Sequence, residues 1–177
     1  MKFIPFVLLF LVTINCFAES KKAPGMTCEI VNGVCEIKNR HGKVQVRGEI
    51  SNWKKEGKWI FWDSLGVKTI ELNFKNDVLD GPANLYYSSF HSAEYAGNKK
   101  VETRFKEGKM DGYNRTYLPD GKLSMEFKIS KGVPKTDFFN SSEIETRISD
   151  DLSFLESIIK MVDSTVQRYR ESHDASS

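Results

Sequence analysis

The hydrophobic residues fall into three patterns along the chain. Residues 3–14 form an apolar run of 12, interrupted only by Pro5 and Thr13. The middle carries short β-rich stretches separated by turn residues. Lys58-Trp59-Ile60-Phe61-Trp62, followed by Asp63-Ser64-Leu65-Gly66, is one such strand and turn. From residue 142 the apolar positions change to helical spacing, at Ile144, Ile148, Leu152, Leu155, Ile159, Val162, Val166 and Tyr169. The order is a leader, a β region and one long helix.

The β region repeats. Gly33, Gly57 and Gly81 stand 24 residues apart and Gly112 follows after 31, so the third unit holds a seven-residue insertion. Counting past the insertion, a second glycine recurs at Gly42, Gly66, Gly97 and Gly121. Three further registers agree: Lys38, Trp62, Tyr86 and Tyr117; Arg47, Glu71, Glu102 and Glu126; Ile50, Phe74, Phe105 and Ile129. Each unit predicts a strand, a turn of the Leu118-Pro119-Asp120-Gly121 kind, a second strand as at 67–74, and a closing turn as at 76–81. Four such hairpins make about eight antiparallel strands in a meander, with the strand around Cys28 as a cap.

The segments FKEGKMDG (105–112) and YLPDGKLSMEFKISKG (117–132) carry a glycine, aromatic and acidic layout that resembles the MORN repeat, in the variant form common in bacterial proteins. The resemblance spans residues 33–136. It implies a mainly β fold: one elongated, twisted antiparallel sheet of four hairpin repeats. Departures are Arg47 in place of an acid, Asp77 in place of a turn glycine, and Thr136 where a fifth unit would begin. Some bacterial proteins with this repeat carry an antitoxin label, which by analogy makes an inhibitor or immunity role one concrete form of function.

Ser142-Glu143-Ile144-Glu145 is a capping box that opens the helix. Some 28 residues at about 1.5 Å each span about 42 Å, and eight strands at about 4.8 Å span roughly 38 Å. The helix is long enough to lie across the sheet and cover one face. Trp59-Ile60-Phe61-Trp62 is apolar on both faces of its strand, which asks for cover on both. The alternating spacings of Leu152 to Tyr169 also suit a coiled-coil seam or a partner helix. Glu143, Glu145, Asp150 and Asp151 suit the helix dipole but not an anionic membrane.

Lys2 ahead of the apolar run, with Cys16 and Ala18 before residue 19, reads as a secretory signal over 1–18. The run is shorter than the roughly 20 residues of a membrane span. Thr13-Ile14-Asn15-Cys16 offers a rival, a lipobox in which Cys16 is lipidated and anchors the protein to a membrane. Without Cys16, Cys28 and Cys35 form an even pair around Val31-Asn32-Gly33-Val34, whose Asn-Gly signals a hairpin turn. In an oxidising compartment they are expected to form a disulfide. The resulting organisation is a signal at 1–18, a β-repeat domain at 19–136, an amphipathic helix at 137–172 and a disordered tail at 173–177.

Charge and chemistry narrow the function. The net charge is +2, too balanced for a nucleic-acid face. None of His41, His91 and His173 sits in a nucleophile motif, and no phosphate loop or zinc helix is present. No metal or cofactor is expected. Glu71, Glu102 and Glu126 form a carboxylate ladder, but alternate strands put them about 10 Å apart, at or beyond the upper end of an inverting glycosidase pair. A sugar hydrolase is therefore the remote reading, and pairing with cross-strand Lys or Arg the plain one. Asn114-Arg115-Thr116 and Asn140-Ser141-Ser142 match glycosylation acceptors. The insertion, within 88–97, is the candidate partner-binding loop, with Phe90, His91 and Tyr95 as its contact residues. The reading is an exported, periplasmic or secreted, non-catalytic module that binds a protein partner. Its alternative is a self-associating envelope protein, with a homodimer as the simplest form.

Overall fold

The computed structural model describes residues 26–135 and 141–175, without the side chains of residues 141–148 and 151. The expected signal, Cys16, Thr136, Asn140 and the capping-box side chains lie outside the described residues. Among those described, the chain is mainly β: a 12-stranded antiparallel sheet followed by one helix. The strands are β1 (Thr27–Val31), β2 (Val34–Lys38), β3 (Val44–Ser51), β4 (Lys54–Trp62), β5 (Lys68–Lys75), β6 (Val78–Leu79), β7 (Gly81–Tyr86), β8 (Lys99–Lys106), β9 (Lys109–Met110), β10 (Gly112–Tyr117), β11 (Leu123–Ser130) and β12 (Val133–Lys135). The meander runs β1-β2-β3-β4-β5-β7-β8-β10-β11-β12, with β6 paired to β5 and β9 to β8. The expected hairpins are all present, and β12 adds a closing strand beyond them.

Each end of the sheet has its own turn. At one end, Asn32-Gly33, Asn52-Trp53, Asn76-Asp77, Glu107-Gly108 and Lys131-Gly132 make two-residue turns with both φ angles positive, the turn whose twist matches the strands. These turns stack: Asp77, Gly108 and Gly132 donate their backbone N–H to the carbonyls of Lys55, Leu79 and Met110. Side chains reinforce the stack. Glu56, Asp80 and Asp111 accept the N–H of Asn76, Glu107 and Lys131 in the next turn. Gly33 belongs to this turn set, whereas Gly57, Gly81 and Gly112 stand four residues beyond their turns. The first unit is thus shorter than its glycine spacing suggested, because β2 has no counterpart of the segment that precedes Gly57.

At the other end, Asn39, Asp63 and Leu118 each close a turn by donating N–H to Lys43, Val67 and Lys122. Next to these turns lies a bulge in each hairpin. The register slips at Gln45, Thr69, Lys100 and Ser124, leaving each opposite no partner residue. A bulge re-aims the side chain it frees.

Alternation divides the sheet into two faces. One face carries the row Cys28, Ile37, Val46, Phe61, Ile70, Leu85, Val101, Thr116 and Met125, matched across successive strands. Over it lies α1 (Ser141–Asp174), 34 residues long, which runs back from the β12 side to β1. Leu155, Val162 and Val166 of its stripe are buried with this row, so the amphipathic helix covers its own sheet. Near its C-terminal end the Tyr169 hydroxyl donates to the Ile30 carbonyl at 3.4 Å. The helix continues two residues into the expected tail, where His173 stacks on Tyr169 at 4.0 Å.

The opposite face is open, so the second cover that Ile60 and Trp62 asked for is absent among the described residues. Both are half-buried within a polar row in which Ile60 stands between Arg47 and Glu71, and long polar side chains shield apolar neighbours with their stems. Cys28 and Cys35 sit diagonally across the first hairpin, Cys28 opposite Ile37 and Cys35 opposite Ile30. Their sulfurs are 3.7 Å apart and both are thiols here, so the expected disulfide is not formed in this structure. The hydrogen bond from Cys35 outweighs burial to lower the Cys28 pKa, while the same bond and burial raise that of Cys35.

Candidate functional site: the insertion loop and the channel beside the helix

The insertion leaves β7 at Tyr86 and returns at Lys99. Its base is a closed turn: Tyr87 donates N–H to Asn98, Gly97 to Tyr87, and Asn98 to Tyr95. Neighbouring turns hold it from both sides. The Asn98 amide donates to the Pro119 carbonyl at 2.9 Å and the Tyr87 hydroxyl to the Tyr117 carbonyl at 2.8 Å. On the other side, Ser89 gives both its N–H (2.9 Å) and its hydroxyl (2.6 Å) to Asp63 Oδ2, while Asp63 Oδ1 accepts the N–H of Leu65 and Val67.

Asp63 is only 9% exposed, and burial alone would raise its pKa. Its hydrogen bonds from Ser89, Val67 and Leu65 outweigh that and hold it below the usual carboxylate value. The sign follows: its stabilisation is present above the unfolded aspartate pKa of about 3.9 and is lost as pH falls through the lower folded value. Asp63→Ala is expected to cost about 2 kcal/mol at pH 7, since it strands several donors. Urea unfolding checks this, and the wild-type and variant curves are expected to draw together as the pH falls below about 4.

The three contact residues expected of this loop separate. Phe90 projects at 75% exposure. Tyr95 is half-buried within the loop. His91 turns back: its Nδ1 is 2.8 Å from Ser88 Oγ, its ring meets Tyr87 edge-on at 6.3 Å, and it lines a groove on the helix side. That groove, about 290 Å³, has walls of Phe61, Ile70 and Leu85 from the sheet and Phe154, Ile158 and Met161 from the helix. The bulge residues Gln45, Thr69 and Lys100 form its polar edge. Beyond Lys100 lies a second pocket of about 420 Å³, reaching Asn114, Thr116, Ser124 and, on the helix, Asp150. Lys100 lines both, so the two cavities flank its side chain.

The sequence marked Asn114 and Thr116 only as a glycosylation acceptor and gave Lys100 no role, yet the repeat sets two of the three apart. Two and four residues after the repeat glycine stand Trp59 and Phe61, Ala83 and Leu85, then Asn114 and Thr116. Asn114 is 3% exposed, which also removes it as a glycosylation acceptor in the folded protein.

On the open face the carboxylate ladder forms one row, Glu71, Asn84, Glu102, Arg115 and Glu126. Glu71 pairs with Lys58 at 3.0 Å and Lys68 at 3.1 Å, Glu102 with Lys99 at 3.1 Å, and Glu126 with Arg115. Burial would raise the Glu71 pKa, but the two lysines lower it overall. For Glu102 the bond from Lys99 is the leading cause of a lowered value. Among the described residues no cluster of three or more His, Cys, Asp or Glu is placed to hold a metal ion, and no helix is long and apolar enough to cross a membrane.

No family model matches the chain, and no curated protein matches it. Among solved structures it is similar to a chain of the GtfA/B complex bound to UDP and GlcNAc, at 13% identity, over 65% of this chain and 26% of that one, with a TM-score of 0.35. The chain thus spans about a quarter of that protein's length, and nothing about its chemistry follows from so loose a superposition.

Proposed function

We propose that the chain is an exported, non-catalytic binding module of the MORN-repeat type that presents its 88–97 loop to a protein partner. The observation that carries this reading is Phe90, 75% exposed on a loop tied to the turns on both sides. A large apolar side chain held out by a rigid base loses little entropy on docking and makes an effective anchor. The apolar run at 3–14 and the even cysteine pair support export. The ion-paired carboxylates of the open face support a non-catalytic role, since a general acid needs a raised pKa. Inhibition or immunity is one form such binding takes.

The test compares wild type with Phe90→Ser, both isolated from the native cell envelope. A partner recovered with wild type is expected to be lost with Phe90→Ser, while unfolding free energy stays within about 0.5 kcal/mol, as for most surface changes. Equal recovery with both proteins would sink the assignment. Intact mass on the same sample is expected to begin at Glu19.

A further inference from the structure

We infer that the two cavities flanking Lys100 beside α1 bind a single-chain amphiphile with an anionic head, its chain in the apolar groove and its head at Lys100. Three observations converge there. The first is the break in the core rows. At the positions where β4 places Trp59 and Phe61 and β7 places Ala83 and Leu85 beneath the helix, β10 places Asn114 and Thr116. Replacing apolar core positions with polar ones is costly unless each finds a partner.

The second is that a partner is missing. Thr116 Oγ1 is fully buried without a hydrogen bond among the described residues. The third is Lys100. It is the charged member of the four bulge residues, half-buried on the helix-covered face, and its ammonium has no ion pair or hydrogen bond among the described residues. Partly desolvated and unpaired, it attracts an anion more strongly than the solvated lysines elsewhere. Asp150 also lines the pocket, but it is solvent-exposed and screened accordingly.

The ligand class follows from the order of these features. On one side of Lys100 the cavity is apolar, walled by Phe61, Ile70, Leu85, Ile158 and Met161. On the other the second cavity offers Asn114, Thr116 and Ser124, hydroxyl and amide groups suited to carboxylate or phosphate oxygens. At about 290 Å³ the apolar arm falls just below the roughly 300–1,000 Å³ of drug-sized sites. It suits one medium-length alkyl chain and not a folded peptide element. This ligand site is independent of the Phe90 tip, so either reading stands or falls alone.

Decanoate is the probe, titrated below its micelle concentration into the protein as recovered from its host and followed by calorimetry. One decanoate is expected per chain. Decan-1-ol, with the chain but no charge, is expected to bind about tenfold more weakly, and decyltrimethylammonium more weakly still. Hexanoate, with a shorter chain, is expected to lose about tenfold or more. Lys100→Gln is expected to bring decanoate down to the decanol level without changing decanol binding, and Lys100→Arg to keep most of the affinity. Lys100 is a surface-reaching bulge residue, so both variants are expected to melt with wild type. No binding by wild type, equal binding of decanoate and decanol, or unchanged decanoate affinity in Lys100→Gln would each overturn the inference.

Discussion

Gly48→Ala is expected to destabilise the protein by about 3–5 kcal/mol, the cost of removing a buried tryptophan from a core. Gly48 in β3 and Trp59 in β4 are neighbours on the helix-covered face, and the indole lies flat over the glycine. A Cβ at residue 48 would come within 2.0 Å of Trp59 Cδ2. Ordinary overpacking costs about 1–3 kcal/mol because neighbours shift by tenths of an ångström. Here the clash is with a rigid ring that is 0% exposed and packs edge-to-face on Phe74 at 6.2 Å. The ring has no nearby place to go, so the substitution evicts it. For a chain of this size each kcal/mol lowers the melting temperature by about 2–4 °C, so a fall of roughly 10 °C is expected. Gly42→Ala is the control. Its φ is +76° with nothing within 4 Å, so it tests backbone conformation without the clash and is expected to cost only about 1 kcal/mol. Urea unfolding followed by tryptophan fluorescence reads both. Equal losses would mean that the ring can move aside and that Gly48 does not reserve its space. In the Gly48→Ala background, Trp59→Leu is expected to recover part of the loss, since the two residues share one volume.

The meander was legible because its information is local. Glycine spacing, turn residues and alternation are set within each 24-residue unit, and each unit needs only its neighbours. The length match between helix and sheet was likewise arithmetic on rise per residue. What stayed hidden depends on which units face each other. Asp63 reads as one more turn aspartate, and nothing local says that Ser89 of the next unit will place two donors on it. The offset of Gly33 was hidden for a related reason: two kinds of glycine, one in the turn and one four residues beyond it, share the same spacing by coincidence. The bulges that put Lys100 beside the helix leave no mark in composition, because an extra residue in a strand looks like any other. Asn114 and Thr116 were the exception. Aligning the units against Trp59, Phe61, Ala83 and Leu85 exposes them as polar residues at core positions, and that comparison needs no coordinates.

Replacing Asp77 and Asp163 together by asparagine is expected to cost about 3 kcal/mol, more than removing the lysine they share. Lys55, in β4, is 5% exposed. Its ammonium is 2.9 Å from Asp77 Oδ1 in the Asn76-Asp77 turn, pairs with Asp163 of α1, and lies 5.4 Å from the Phe74 ring centre. One cation thus ties together β4, the next turn and the helix. The two sides of the pair are unequally buried: the Asp77 and Asp163 side chains are 43% and 51% exposed against 6% for lysine. Freed carboxylates therefore recover water, whereas a freed ammonium does not. Breaking a buried pair from the side that leaves the charge inside costs about 3–5 kcal/mol, and replacing the buried charge by an apolar side chain of similar volume is often near neutral. Lys55→Met is accordingly expected to cost about 1 kcal/mol. The acid response carries the same signature. Burial would raise the Asp77 pKa, but the Lys55 N–H and ammonium outweigh it and lower it. Its contribution is full above about pH 4 and is lost as pH falls through the lower folded value. As the pH falls below about 4, wild type is expected to lose the Asp77 contribution that the Asp77→Asn/Asp163→Asn protein has already lost, so their urea midpoints draw together. If Lys55→Met proves as damaging as the double replacement at pH 7, the cation is stabilising by its charge and not merely satisfied, and the helix is docked chiefly by this ion pair instead of by Leu155, Val162 and Val166.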